Sequence, residues 1–361
     1  MTTSRPGLLR LSRRAVQVAL AALMSGACAA GPAVAASTRE AAPSVPSTTT
    51  PLSPRSPTGQ PTPAARALTE AGCCARHWWS SDSLRVLFID DPPGDAPLGI
   101  YAAPAGGGEV GLASLSVLGE DLPAGDAPLA ATPSASLRLP ADAENVRLSP
   151  DGSSVAWTVG SSVPVNFDRR QRSLWVLGGP TDLRRRLAVL TGGDLVGWAE
   201  DGRAVVTTGR VSADAIAGIR RVPIDGSPPA LLAEADRPRG VRLSPTARWL
   251  AYYLAFQTDP ARNGLWIAGT SEVAAHQVPA FGSYRWGADE RLFFIPFVTD
   301  GGPLTLAAFD PATGATQVVR EGEAFPGGIA ANDWSVSPDG RWVVYRSAAD
   351  AALWIVPIGG A

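Results

Sequence analysis

An all-β chain assembled from repeated four-stranded antiparallel units is what this sequence predicts, on three observations. A Ser-Pro-Asp-Gly turn recurs in register, a β-rich run follows each copy at a fixed distance, and the composition is one of strands and turns. Its 361 residues include 38 Gly, 33 Pro and 11 Trp, while charged residues make only 18 %, too few for long solvated helices.

The clearest copies are Leu148-Ser149-Pro150-Asp151-Gly152 and Val336-Ser337-Pro338-Asp339-Gly340. Anchoring on their aspartate finds four more without a gap, at Asp82, Asp201, Thr246 and Asp289. Three residues before each anchor stands a large apolar residue: Trp79, Leu148, Trp198, Leu243, Trp286 and Val336. Four residues after it a strand begins, with cores at Val86, Val155, Val205, Leu250, Phe293 and Val343. The turn has a direct rationale, since Pro presets φ, Asp caps the turn with its side chain and Gly accepts positive φ. These aspartates therefore read as turn residues, and Thr246 replaces one of them without loss of the surrounding pattern.

A second strand follows each copy, centred on Ile100, Leu174, Ile219, Leu265, Leu306 and Leu353, after an interval that varies from 14 to 23 residues. Several copies then turn through Gly or Asp-Gly. Each unit thus holds the four strands of one blade. The varying interval places differences of length and chemistry in the loop after the first strand pair, where binding specificity usually sits. The longest such loop, Val159 to Arg172, carries Asp168, Arg169, Arg170 and Arg172, and its guanidinium groups suit carboxylate or phosphate recognition.

Ser-Pro-Asp-Gly, then Arg341-Trp342-Val343-Val344-Tyr345, then Leu353-Trp354-Ile355, resembles the PD40 (WD40-like) repeat of TolB-like propellers and of prolyl oligopeptidase-type propeller domains. The resemblance covers roughly residues 77 to 361 and implies a six-bladed, alternatively seven-bladed, β-propeller over residues 66–361. The alternative arises because Asp82 and Asp151 lie 69 residues apart, against 43 to 50 elsewhere, room for an insertion or a degenerate extra blade. A strand near residues 66 to 76 would complete the last blade under either count. The chain has no Gly-x-Ser-x-Gly elbow, so the likeness to oligopeptidase propellers implies no peptidase activity.

The N-terminus reads as an export signal over residues 1–36. Arg5, Arg10, Arg13 and Arg14 precede an apolar run from Ala15 to Met24 and a small-residue stretch to Ala36. Ser12-Arg13-Arg14-Ala15-Val16 resembles a twin-arginine motif, and Ser25-Gly26-Ala27-Cys28 resembles a lipobox that makes Cys28 a lipidation candidate; cleavage after Ala35 is the rival. Residues 37–65 form a tether in which 18 of 29 residues are Pro, Ser or Thr, a composition unable to offset its ordering entropy. The expected location is periplasmic, tethered to the cell surface or extracellular, with membrane contact only through the lipid anchor.

All 31 basic residues are arginine against 33 acids, a net charge of −2. No electrostatic excess exists for nucleic acid, and mechanisms needing a lysine amine are excluded. Cys73 and Cys74 would sit in an oxidising compartment with no third partner, so a vicinal disulfide ranks first, ahead of free thiols or a metal site with His77. A ring closed by adjacent cysteines is strained and more easily reduced than ordinary disulfides. His77 and His276 stand 199 residues apart with no metal-ligand spacing. Neither a catalytic motif nor a cofactor or metal motif emerges. The expectation is a monomeric, non-enzymatic module that binds a protein, peptide or envelope ligand through the variable-loop rim. The alternative is a hydrolase or lyase using carboxylates at the propeller axis.

Overall fold

The computed structural model describes residues 64–74, 76–115, 139–160, 166–178, 184–271, 275–278, 281–298 and 302–358. The residues read from sequence as an export signal, Cys28 and the expected tether through Pro63 lie outside them, as do residues 116–138, where an extra blade would fall.

The described residues form six sheets of four antiparallel strands. In chain order, sheet 1 holds β2 (Arg76–Trp79), β3 (Arg85–Asp90), β4 (Gly99–Pro104) and β5 (Gly111–Ser114), and sheet 2 holds β6 (Glu144–Leu148), β7 (Val155–Gly160), β8 (Gln171–Leu177) and β9 (Arg185–Thr191). Sheet 3 comprises β10 (Leu195–Trp198), β11 (Ala204–Gly209), β12 (Gly218–Pro223) and β13 (Ala230–Glu234); sheet 4 comprises β14 (Arg239–Leu243), β15 (Trp249–Leu254), β16 (Gly264–Gly269) and β17 (Ala275–Val278). In sheet 5 are β18 (Gly282–Trp286), β19 (Leu292–Pro296), β20 (Thr305–Asp310) and β21 (Ala315–Glu321). Sheet 6 is built from β22 (Ile329–Val336), β23 (Trp342–Ser347), β24 (Leu353–Pro357) and the N-terminal β1 (Arg66–Ala67). Every strand core read from the repeat falls on the second or third strand of its sheet.

The second and third strands carry most of the buried side chains, because consecutive sheets from the second to the sixth pack face to face and the sixth packs on the first. Ala156, Leu174 and Leu190 of sheet 2 pack on Leu195, Trp198 and Val205 of sheet 3. Ile219 and Val206 meet Leu250 and Tyr252 of sheet 4, Leu265 and Ile267 meet Tyr284 and Phe294 of sheet 5, and Phe293 and Leu306 meet Trp334 and Tyr345 of sheet 6. Val344, Leu353 and Ile355 then pack on Val86, Phe88 and Tyr101 of sheet 1, bringing the last sheet back to the first. This is the architecture of a β-propeller, and each sheet is one blade.

The turn of each repeat joins the first strand of a blade to the second. Ser149 Oγ donates to Asp151 Oδ1 at 2.6 Å and accepts from the Ser154 N–H at 2.9 Å, while Asp151 Oδ1 accepts from the Ser153 N–H at 3.0 Å. Ser80 with Asp82, and Ser337 with Asp339, repeat the arrangement. These bonds, led by the Ser149 hydroxyl, hold the Asp151 carboxyl down to about 2. The carboxylate is thus spent on its own turn.

The residue after the anchor is left-handed in all six copies: Ser83, Gly152, Gly202, Ala247, Glu290 and Gly340 have φ between 59 and 70°. Three of them are not glycine, and a side chain there costs roughly 1 kcal/mol. At Glu290 the side chain has a compensating role. Thr246 removes the carboxylate from the fourth turn, and Glu290 of the fifth blade replaces it, accepting from Ser244 Oγ at 2.5 Å and from the Thr246 N–H at 2.9 Å. The turns also touch between the last and first blades, where the Asp339 N–H donates to Ser83 Oγ at 2.8 Å.

Substituting Glu290→Gly removes a left-handed side chain but also two charge-assisted bonds, and a net destabilisation of about 1 kcal/mol is expected. Adding Thr246→Asp to that variant restores an in-turn carboxylate and should recover most of the loss. Urea unfolding midpoints of the wild type, both single variants and the double variant measure the coupling; additive effects would refute the bridging role.

Candidate functional site

Antiparallel order puts the first-to-second and third-to-fourth connections of a blade at one end, and the second-to-third loops and inter-blade connections at the other. At the first end the first-to-second connections are tight turns. At the second, two grooves open across blades 2 to 4. One, of about 270 Å³, is lined by Arg210, Asp214 and Ile216 of the β11–β12 loop, Glu234 at the end of β13 and Asp236 after it, and Gln257 and Arg262 of the β15–β16 loop. The other, of about 180 Å³, runs beside it from Asp168 and Gly192 to Arg210 and Arg237. Both signs of charge line the grooves.

Exposed aromatic residues gather at this same end. Phe256, 87 % exposed, rises from the β15–β16 loop, with Arg239 set over its ring at 5.5 Å. Phe281 precedes β18 and stacks on Tyr253 at 6.2 Å, and Phe297 follows β19 with its N–H donated to the Phe281 carbonyl at 2.8 Å. Ile216 and Leu98, in the loops after β11 and β3, are exposed at this end too.

The loop singled out from sequence divides. Asp168 stands at the groove edge and pairs with Arg237 at 2.6 Å, and Arg169 is exposed beside it. Arg170 lies 3.7 Å from Glu144. Arg172 is not on the loop: it belongs to β8, opposite Gly160 of β7, and is 8 % exposed. Alternation along β8 turns it inward. There its Nη1 donates to Glu144 Oε2 at 2.6 Å and to Thr158 Oγ1 at 3.2 Å and lies 3.3 Å from Asp194 Oδ2. Two carboxylates from adjacent blades therefore do converge, but on a guanidinium that offsets part of their charge. Sequence reasoning missed this group, because Glu144 and Asp194 lie outside the repeat pattern; the alternation of Arg172 with Leu174 and Val176 was the available signal.

The innermost strands are stitched side chain to backbone. Trp198 and Trp286, the apolar residue three before the anchor, donate their indole N–H to the Arg147 and Arg242 carbonyls of the preceding blade at 2.9 and 3.2 Å. Arg285 donates to the Trp334 and Asn332 carbonyls of the next blade, stacks over Trp334, and is pushed down to about 10 by burial. His77 of β2 meets Asp333 of β22 at 3.5 Å, and Asp333 also holds Arg346 at 3.0 Å. Burial pushes the His77 imidazole down; Asp333 opposes this, while Arg346 and Arg285 add to it. His276 lies exposed on β17, the outermost strand of blade 4, far from the first-blade position of His77.

Cys73 and Cys74, on the strap between β1 and β2, are buried with their sulfurs joined. Among the described residues, their sulfurs and a carboxylate oxygen of Asp90, at the end of β3, are near enough to hold a metal ion together. His77 points instead to Asp333.

No family model matches this chain, and no curated protein matches its sequence. Solved structures resemble it at low identity. An oligogalacturonate lyase in complex with manganese shares 12 % identity over 78 % of this chain and 76 % of its own, with a TM-score of 0.42. A putative TolB from Agrobacterium tumefaciens shares 16 % over 81 % and 91 %, with a TM-score of 0.34. The propeller domain of the trilobed protease from Pyrococcus furiosus shares 13 % over 61 % and 68 %, with a TM-score of 0.40. None of these likenesses transfers a residue role.

Replacing Arg172 with Met removes the one guanidinium that Glu144 and Asp194 share and leaves only Arg170, 3.7 Å from Glu144, to oppose their charge. A loss of about 1–3 kcal/mol is expected, less than for a fully buried pair because both acids keep contact with water; an unchanged unfolding midpoint would rule out the charge-offsetting role. His77 resists protonation in the fold, so below its ordinary value of 6.5 the unfolded chain binds a proton that the folded chain declines. Stability should therefore fall as pH drops through that value, and His77→Gln should flatten this part of a midpoint-against-pH curve. An identical curve for both proteins would contradict this.

Proposed function

We propose that this protein is an exported, non-enzymatic binding module, which holds a protein or peptide of the cell envelope against the loop-bearing end of its ring. The observation that carries this reading is the coincidence at one end of both grooves with Phe256, Phe281, Phe297 and Ile216. Aromatic side chains and arginine are the residues that most often anchor protein partners. Here three exposed phenylalanines share an end of the ring with the groove residues Arg210, Arg237, Arg262, Asp214 and Asp236, and Arg239 lies over the Phe256 ring. With a net charge of −2 the chain has no long-range field to steer a ligand, so selectivity falls to this local pattern.

The binding reading is also supported by how the inner acids are used. Glu144 and Asp194 share Arg172, and Asp333 is shared by His77 and Arg346. A carboxylate already matched by a guanidinium is a poor general acid or base. The export signal and tether read from residues 1–65 fit a module held off a membrane. No cofactor enters this function.

Pull-down from envelope extract tests it with three proteins: wild type, Phe256→Ser with Phe297→Ser, and a chain with residues 161–170 replaced by Gly and Ser. Removing two aromatic anchors is expected to lower partner recovery at least tenfold, the equivalent of about 1.4 kcal/mol. Identical partner sets for all three would refute a partner site at this end.

A further inference from the structure

The strap that includes residues 68–74 leads from β1, the outer strand of the last blade, towards β2, the inner strand of the first. Cys73 and Cys74 lie on it, buried in the cluster that joins the two blades, among Leu68, Val86, Phe88, Val344 and Ile355. Asp90 ends β3 in the first blade, and one of its carboxylate oxygens and the two sulfurs all lie within 4.8 Å of one another. We propose that, when reduced, Cys73 and Cys74 with Asp90 form a site for a d10 divalent cation of the Zn²⁺ class, and that oxidation to the vicinal disulfide closes it.

Two thiolates and one carboxylate are ligands that a borderline-soft cation accepts, at about 2.3 Å to sulfur and about 2.0–2.2 Å to oxygen. Tetrahedral angles at those lengths need the sulfurs about 3.8 Å apart. The disulfide forbids that separation, so the oxidised and metal-bound forms exclude each other. Reduction by a dithiol transfers two electrons: the sulfur–sulfur bond breaks, two thiols form, and the reductant leaves as its own disulfide. Cation binding then releases the two thiol protons and leaves a fourth position open to water. His77 is not a ligand, being directed to Asp333.

The placement gives the site a mechanical consequence. A bound cation would tie the strap, and through it β1, to the first blade, and so stabilise the ring where it closes. A ligand bound only by the folded chain raises its stability in proportion to the logarithm of ligand concentration over Kd.

The test uses the full chain carrying Cys28→Ser, so that Cys73 and Cys74 are its only thiols. Zn²⁺ and Cd²⁺ are the probes, with bound metal counted after equilibrium dialysis and Cd²⁺–thiolate absorption followed in the ultraviolet. One equivalent is expected in the reduced protein and none in the oxidised, with a metal-dependent rise of the melting temperature in the reduced form alone. Asp90→Asn should weaken affinity at least tenfold while leaving the metal-free melting temperature unchanged. Failure of the reduced protein to bind would overturn the proposal, as would equal binding by the oxidised protein, by Asp90→Asn, or by Cys73→Ser with Cys74→Ser.

Discussion

Closure of the ring is the constraint on which the rest of this structure depends. A row of packed sheets leaves an apolar face bare at each end, and only contact between first and last blades covers both. Here the ends are separated by nearly the whole folded chain, and the seam is made by a short set of contacts. Arg66 and Ala67 pair with Ile355 and Trp354. The Arg66 guanidinium reaches the Pro104 and Ala105 carbonyls of the first blade, and the Leu353 N–H donates to Thr69 Oγ1. The seam is the most non-local contact in the molecule, and loop entropy places such contacts late in folding.

The two ends of the ring divide the work accordingly. At the turn end, hydrogen bonds within each repeat and between neighbours fix the spacing of the blades. The Glu290 bridge shows how tightly that end is specified, since a carboxylate lost from one turn is supplied by the next at the cost of a left-handed glutamate. At the loop end no repeat constrains length or chemistry, and the exposed aromatic surface and the grooves accumulate there.

Most of the fold was legible in the sequence because the anchor turn is defined locally. The anchor and the left-handed residue after it set a turn shape that, except where Glu290 completes the fourth turn, rests on neighbours in the chain, so all twelve strands taken from the repeat are found where the spacing put them. The short closing strand was legible only as an expectation near residues 66 to 76, since two residues have no periodicity. The site was less legible, for a physical reason. Arg172 looked like a loop cation by its neighbours in the chain, whereas its surroundings come from β6 and from Asp194, both distant in sequence. Phe256, Phe281 and Phe297 belong to three connections with no common motif, and only the stacking of blades brings them to one end. Asp90, likewise, meets the cysteine pair through the path of the strap, which composition cannot convey.

The closing strand also fixes where the rest of the chain is attached. β1 is the outermost strand of its sheet, held on one side by β24 through two residue pairs. Any segment upstream of Ala64 therefore joins the ring at its outer wall rather than at its axis, beside the seam. Tension along that segment falls first on β1 and the Arg66 contacts, before any other blade bears load.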